Sequence, residues 1–164
     1  MTVPPGDHRR AASHVAAQIS VAAPIATVFA GLTDHEAMVT WPGISGCQLI
    51  VPGTPRNGLG AVRRITALGV TLDEVIVRYE PPCRFDYQII RGLPVEHLGV
   101  VRLSRRDQVV DVDWQVDLDS RYPLVARSAA LALGWGLPRA LRHVARQVEA
   151  AHALEQRGLS RAPG

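Results

Sequence analysis

Residues 62–91 read VRRITALGVTLDEVIVRYEPPCRFDYQIIR. Two turn signals, Leu68-Gly69 and Pro81-Pro82, divide this stretch into three extended runs with no helix between them. Neighbouring runs joined by such short turns pair antiparallel. If Leu68-Gly69 is a two-residue turn, Ala67 faces Val70, Ile65 faces Leu72 and Arg63 faces Glu74. A turn at Pro81-Pro82 then sets Glu74 opposite Ile89 and Ile76 opposite Tyr87.

The same pattern extends in both directions. Gly43-Ile44-Ser45-Gly46, the Pro52–Gly58 segment, Gly92-Leu93-Pro94 and Arg106-Asp107 add further turns. Strands are predicted near 47–52, 58–67, 70–80, 83–91, 95–105 and 108–119. A three-residue turn at Gly92-Leu93-Pro94 puts His97 opposite Ile89 and Gly99 opposite Tyr87. A turn at Arg106-Asp107 puts Trp114 opposite Gly99 and Val112 opposite Val101. The parities agree through all four hairpins, so Ile65, Ile76, Tyr87, Val101, Val112 and Trp114 share one face. The other face of the last strand carries Asp111, Asp113, Gln115, Asp117 and Asp119, which is a solvent face. A bulge would send the residues beyond it to the opposite face.

Upstream, His14–Val21 is extended and apolar, and Pro24 opens a helix continued by Ile25, Val28, Phe29 and Leu32. Thr33 and Glu36 fit a capping box for a second short helix ending at Trp41, before Pro42-Gly43. Downstream, Leu137, Leu141, Val144, Val148, Ala151 and Leu154 form one helical stripe in a segment from Pro123 to about Glu155. Gly134, Gly136 and Pro138 predict a kink or break in its first half. The chain therefore reads as α+β: a seven-stranded curved antiparallel sheet around a long C-terminal helix, with two short helices after the first strand. Residues 1–12 read as a loose tail, 13–156 as one domain and 157–164 as a fraying end.

Four polar side chains fall on the covered face: Arg63, Glu74, Arg91 and His97. An ionisable group facing a core costs several kcal/mol unless paired or solvated. Either these groups satisfy one another, or they line a wet or ligand-filled cavity. Arg63 and Glu74 read both as a structural ion pair and as hydrogen-bonding groups for a ligand carbonyl or hydroxyl. His97 reads as a satisfied interior histidine, as a ligand contact or as an acid–base catalyst. Trp41, Tyr87 and Trp114 are core filling or pocket wall, and Trp135 packs on the helix or stands at a pocket mouth. Gly99 leaves room for aromatic rings to turn inward. Arg91 lies near a hairpin end, from which it can reach solvent.

Composition narrows the classes. The 164 residues carry a formal charge of +3, with arginine as the only basic residue besides histidine. Lysine Schiff-base chemistry and a P-loop are thereby excluded. The arginines are scattered, and Arg139, Arg142 and Arg146 read as a solvated helix face, so nucleic acid is not an expected partner. No run reaches the roughly 18 apolar residues of a membrane span, and Met1–Arg10 has no secretory pattern. Cys47 and Cys83 fit neither a metal pair nor a disulfide framework, so both read as reduced thiols of a cytoplasmic protein. The six histidines make no ligand pattern, and no nucleophile elbow, HExxH, CxxC pair or dinucleotide fingerprint is present. Neither a metal nor a cofactor is expected.

The run ISVAAPIATVF at 19–29, continuing through Asp34 to Trp41-Pro42, resembles the opening of the polyketide cyclase/dehydrase and lipid-transport family. So does Gly58-Leu59-Gly60 leading into Arg63, and Glu74 through Tyr79-Glu80-Pro81-Pro82 to Phe85 and Tyr87. The resemblance covers about residues 14–152 and points to the START-like, Bet v 1-like (SRPBCC) helix-grip superfamily. It implies a cavity between sheet and long helix with no obligatory cofactor, and Trp41, Arg63, Glu74 and Tyr87 as lining residues. His97 and Trp114 join that set by register alone. The expected function is binding of a small hydrophobic molecule, polyketide-, aromatic- or lipid-like. The alternative is a cyclase or dehydratase in which His97 shuttles a proton, Arg63 stabilises an enolate and Glu74 holds Arg63. A third reading is an interaction module or homodimer using outward Val75, Val77 and Val100.

Overall fold

A computed structural model describes residues 13–159; the expected tail at 1–12 and residues 160–164 of the one expected at 157–164 lie outside the described residues, while 157–159 continue the last helix. The order is β1 (Ser13–Val21), α1 (Ile25–Thr33), a 3-10 turn (Ala37–Thr40), β2 (Ile44–Val51), β3 (Val62–Ala67) and β4 (Val70–Glu80). Then come β5 (Arg84–Arg91), β6 (Glu96–Arg106), β7 (Val109–Asp119) and α2 (Pro123–Leu159). All seven strands form one antiparallel sheet in the order β1-β7-β6-β5-β4-β3-β2. The chain is a helix-grip α+β fold.

The Leu68-Gly69 hairpin forms as read, whereas the β4–β5 turn takes three residues, Pro81 to Cys83, and a bulge at Val77 offsets the extra residue so that the expected pairs still meet. Arg63 pairs with Glu74, Ile65 with Leu72, Glu74 with Ile89 and Ile76 with Tyr87. Leu68 and Gly69 both take positive φ, as a tight two-residue turn between twisted strands requires. On β7 burial alternates without a fault: Val110, Val112, Trp114, Val116 and Leu118 are buried, and the residues between them are half-buried.

Several expectations are corrected. The β6–β7 turn is centred on Asp107 and Gln108, with Asp107 at φ 54°. Gly99 therefore pairs with Val116 and Val101 with Trp114, rather than Gly99 with Trp114 and Val101 with Val112. The slip is even, so every side chain keeps its face. Between Tyr87 and Arg91 the β5–β6 ladder has already ended, so His97 has no cross-strand partner in β5. A bulge at Ile90 shifts Arg91 opposite Asp73, on the outer face, and Arg91 is exposed rather than inward. Val100, expected outside, is buried, with Asp86 of the Arg84–Asp86 ion pair directly across from it.

The capping box does not form. Thr33 Oγ1 donates instead to the Phe29 carbonyl, Asp34 Oδ1 accepts from the backbone N–H groups of Glu36 and Ala37, and Glu36 pairs with Arg56. With the Thr33 hydroxyl spent on the preceding turn, Asp34 caps those two donors in its place. The C-terminal helix also runs unbroken from Pro123 to Leu159. Pro138 deletes one backbone hydrogen bond, but buried Leu137, Ala140, Leu141, Val144 and Val148 hold the segment on the sheet. Arg139 Nη1 donates to the Trp135 carbonyl beside the missing bond. Arg139, Arg142 and Arg146 are exposed, as a solvated face requires.

Candidate functional site

The concave face of the sheet and the first half of α2 do not close on each other. Between them lies a cavity of about 490 Å³, bordered by all seven residues singled out in the sequence: Trp41, Arg63, Glu74, Tyr87, His97, Trp114 and Trp135. Its walls are mostly aliphatic, from Ile65, Leu72, Ile89 and Leu118 on the sheet to Leu133 and Leu137 on α2. The polar groups gather at one end.

Arg63 is 2 % exposed and lies in the plane of its strand neighbours' side chains by register, directly opposite Glu74. Its Nε donates to Glu74 Oε2 at 2.8 Å and its Nη2 lies 2.7 Å from the same oxygen. Its Nη1 points elsewhere, donating to Met38 Sδ at 3.2 Å. The guanidinium sits 4.9 Å from the Tyr87 ring centroid, a cation–π arrangement in a desolvated setting. Two charges so deeply buried are tolerated because each has the other, and removing either partner strands a charge.

Tyr87 connects this pair to the aromatic wall. Trp114 Nε1 donates to Tyr87 Oη at 2.9 Å, and Trp41 packs edge-on against Trp114 at 6.0 Å. Burial, reinforced by Glu74, raises the Tyr87 phenol well above its ordinary range, so it stays protonated. Gly99 makes this position possible. A Cβ there would fall inside the Tyr87 ring, so β6 must be bare where the ring crosses it.

His97 stands 5.2 Å from Tyr87, ring centroid to ring centroid, and is 7 % exposed. Its Nδ1 is buried and has no hydrogen-bond partner. Burial lowers its pKa against the opposing pull of Glu74, with Arg63 lowering it further and a hydrogen bond to its own backbone partly offsetting both. The imidazole is therefore neutral near pH 7, and a neutral ring offers one donor and one acceptor.

Trp135 occupies a different place. At 44 % exposure it stands at the mouth, its ring packed over Gly43 and the Arg139 guanidinium 4.2 Å from its centroid. Gly43 has φ 88°, and a Cβ there would come within 3.2 Å of the indole. Leu68 and Leu124, both exposed, complete the rim.

Sequence reasoning missed three features. The first half of α2 presents Val125, Ala129, Ala132 and Gly136 to the cavity, spaced by four, three and four. That stripe was readable as the continuation of the one starting at Leu137, and its small side chains are what leave the void. Met38, the sulfur partner of Arg63, carried no signal. Nor did His35, which is fully buried with neither ring nitrogen bonded to protein. Burial first, and Arg63 second, hold its pKa down at about 3. Among the described residues, no three His, Cys, Asp or Glu side chains gather where they could hold a metal. No helix among them is long and apolar enough to cross a membrane.

An antiparallel sheet gripping a terminal helix is a helix-grip fold. Three solved structures share it. A START superfamily protein from Mycobacterium smegmatis has TM-score 0.65 at 16 % identity, covering 86 % of this chain and 97 % of that one. A protein from Thermobifida fusca has TM-score 0.62 at 25 % identity, covering 82 % and 92 %. Ara h 8.0201 has TM-score 0.62 at 16 % identity, covering 82 % and 98 %. No curated protein matches the sequence. The family model described as polyketide cyclase / dehydrase and lipid transport matches residues 12–152, and the chain belongs to that family.

Proposed function

We propose that the protein binds a small, mainly apolar molecule in the cavity between the sheet and α2, with its polar end toward Arg63, Glu74 and His97. The observation that carries this reading is the void itself, about 490 Å³ with mainly aliphatic walls and its charged groups at one end. A protein interior is normally packed to the density of an organic crystal, so a space of this size is a designed absence. Apolar walls contribute about 25 cal/mol per Å² of ligand surface buried, while the few polar groups orient the molecule. A thermal-shift screen of neutral apolar compounds tests it, with Arg63→Ala and His97→Ala as controls. A ligand at a hundred times its Kd adds about 2.7 kcal/mol, and thus raises Tm by roughly 5–10 °C. If no compound moves the melting temperature of the native chain, binding is refuted.

A second reading, cyclisation or dehydration of the bound molecule, is favoured by one specific observation: the unpartnered Nδ1 of a neutral, buried His97 at the polar end. A neutral imidazole there can accept a proton from a ligand, and Arg63, held by Glu74, would offset charge developing on an enolate oxygen by turning its Nη1 from the Met38 sulfur to that oxygen. Turnover that persists unchanged in His97→Ala refutes this role. Self-association through the outer face has Val75 and Val77 left to carry it once Val100 is removed from the set. Sedimentation of the purified chain distinguishes monomer from dimer.

A further inference from the structure

The polar end of the cavity is selective in a way that its apolar walls are not. Arg63 directs both Nε and Nη2 to one oxygen of Glu74, Oε2. Among the described residues no hydrogen-bond donor engages Oε1, although Glu74 borders the cavity. The third nitrogen of Arg63 is turned to the Met38 sulfur. His97 Nδ1, on a side chain more than nine-tenths buried, has no partner in any other residue. The Tyr87 oxygen already accepts from Trp114. What the protein leaves open to the cavity at this end is therefore a carboxylate oxygen without a protein donor, in a site that His97 also borders, and the one cation is already neutralised.

From this we infer that the preferred ligands are neutral compounds bearing a hydroxyl donor, phenols or alcohols with an apolar body, and that carboxylates are rejected. The inference rests on the binding reading above. A ligand O–H supplies the donor that Glu74 Oε1 lacks, and its oxygen lone pairs can meet His97 when the ring presents its N–H. The corresponding methyl ether brings no proton and leaves Glu74 Oε1 without a donor. A carboxylate brings a second negative charge against Glu74 in a desolvated site, with Arg63 already committed. The three polar ends differ by at most two heavy atoms, and Glu74→Gln, which keeps the shape of the site while removing its charge, separates the electrostatic part of the discrimination from fit.

The test compares 4-octylphenol, 4-octylanisole and 4-octylbenzoate at pH 8, where the first two are neutral and the third is ionised. Affinity is read by titration calorimetry on the full chain. The phenol is expected to bind about tenfold more tightly than the ether, the equivalent of one hydrogen bond to a charged acceptor. It is expected to bind more than tenfold more tightly than the benzoate. Glu74→Gln, which removes the negative charge but keeps an oxygen for Arg63, is expected to reverse the phenol-over-benzoate order. Equal affinities for all three in the native chain overturn the hydroxyl preference while leaving cavity binding intact. A native chain that binds the benzoate best overturns it too. Absence of binding by any of the three overturns both, with the binding reading the first to fall.

Discussion

Replacing Arg63 with Met removes one half of an ion pair that is almost wholly dry. Arg63 is 2 % exposed and the Glu74 side chain 9 %. The carboxylate left behind has no other cation in contact, and stranding a buried charge in this way costs about 3–5 kcal/mol. Loss of the guanidinium from the Tyr87 face adds about 0.5–2 kcal/mol. Against a typical total of about 5–15 kcal/mol, the variant should be folded but visibly weakened. The double variant Arg63→Met with Glu74→Leu places apolar side chains of similar volume where the charges stood. Such replacements run from neutral to about 4 kcal/mol stabilising, so most of the loss should return. Urea unfolding followed by far-UV circular dichroism, with unchanged m-values, measures both variants. The double variant should also lose the distinction between phenol and ether, because no acceptor remains at Oε1. A single variant that loses less than about 1 kcal/mol would refute the reasoning, since that is the cost of breaking a water-screened surface pair.

Lowering the pH should weaken the fold through His35. Unfolded, its imidazole titrates near 6.5, whereas in the folded chain its pKa is about 3. The unfolded state takes up the proton first, so stability is complete above about pH 6.5 and falls as the pH drops towards 3. Denaturant titrations at pH 7.5 and 5 should differ by on the order of 2 kcal/mol from this residue. His35→Leu should remove that share of the difference. Gly99→Ala should cost about 1–3 kcal/mol by driving the Tyr87 ring from its place, with altered near-UV circular dichroism as the Trp114–Tyr87 hydrogen bond breaks. Burial pushes the Cys47 thiol up to about 11, whereas Cys83 is exposed. Iodoacetamide at pH 8, followed by peptide mass spectrometry, should label Cys83 at least about tenfold faster than Cys47.

The sheet was readable because hairpin registers propagate. Once Leu68-Gly69 is taken as a turn, Arg63 must face Glu74, and the parity then carries on to Tyr87 and to β7. An even slip, such as the one at Asp107, leaves that parity intact. An odd one does not: the bulge at Ile90 leaves no mark in the residue types, and it alone turned Arg91 outward. Helix continuity through Pro138 was hidden for a different reason. Gly134, Gly136 and Pro138 are locally unfavourable, and only the packing of α2 across the sheet overrides them. The polar end of the cavity emerged from the charged residues on the inward face. Its depth did not, because the void is the space that the small side chains of Ala129, Ala132 and Gly136 leave unfilled between α2 and the strands, and tertiary packing sets that separation. His35 and Met38 lie between α1 and β2, outside any periodic pattern, so nothing in the spacing assigns them an interior place.

Intermolecular nuclear Overhauser effects in solution, with 4-octylphenol on the isotope-labelled chain, probe the site at the level of single residues. The phenol ring protons should contact Tyr87 and His97, and the octyl chain the methyl groups of Leu118, Leu133 and Leu137. Contacts confined to the outer face, at Val77 or Ile90, or a labelled spectrum that the compound leaves unmoved, would contradict a ligand site beneath α2.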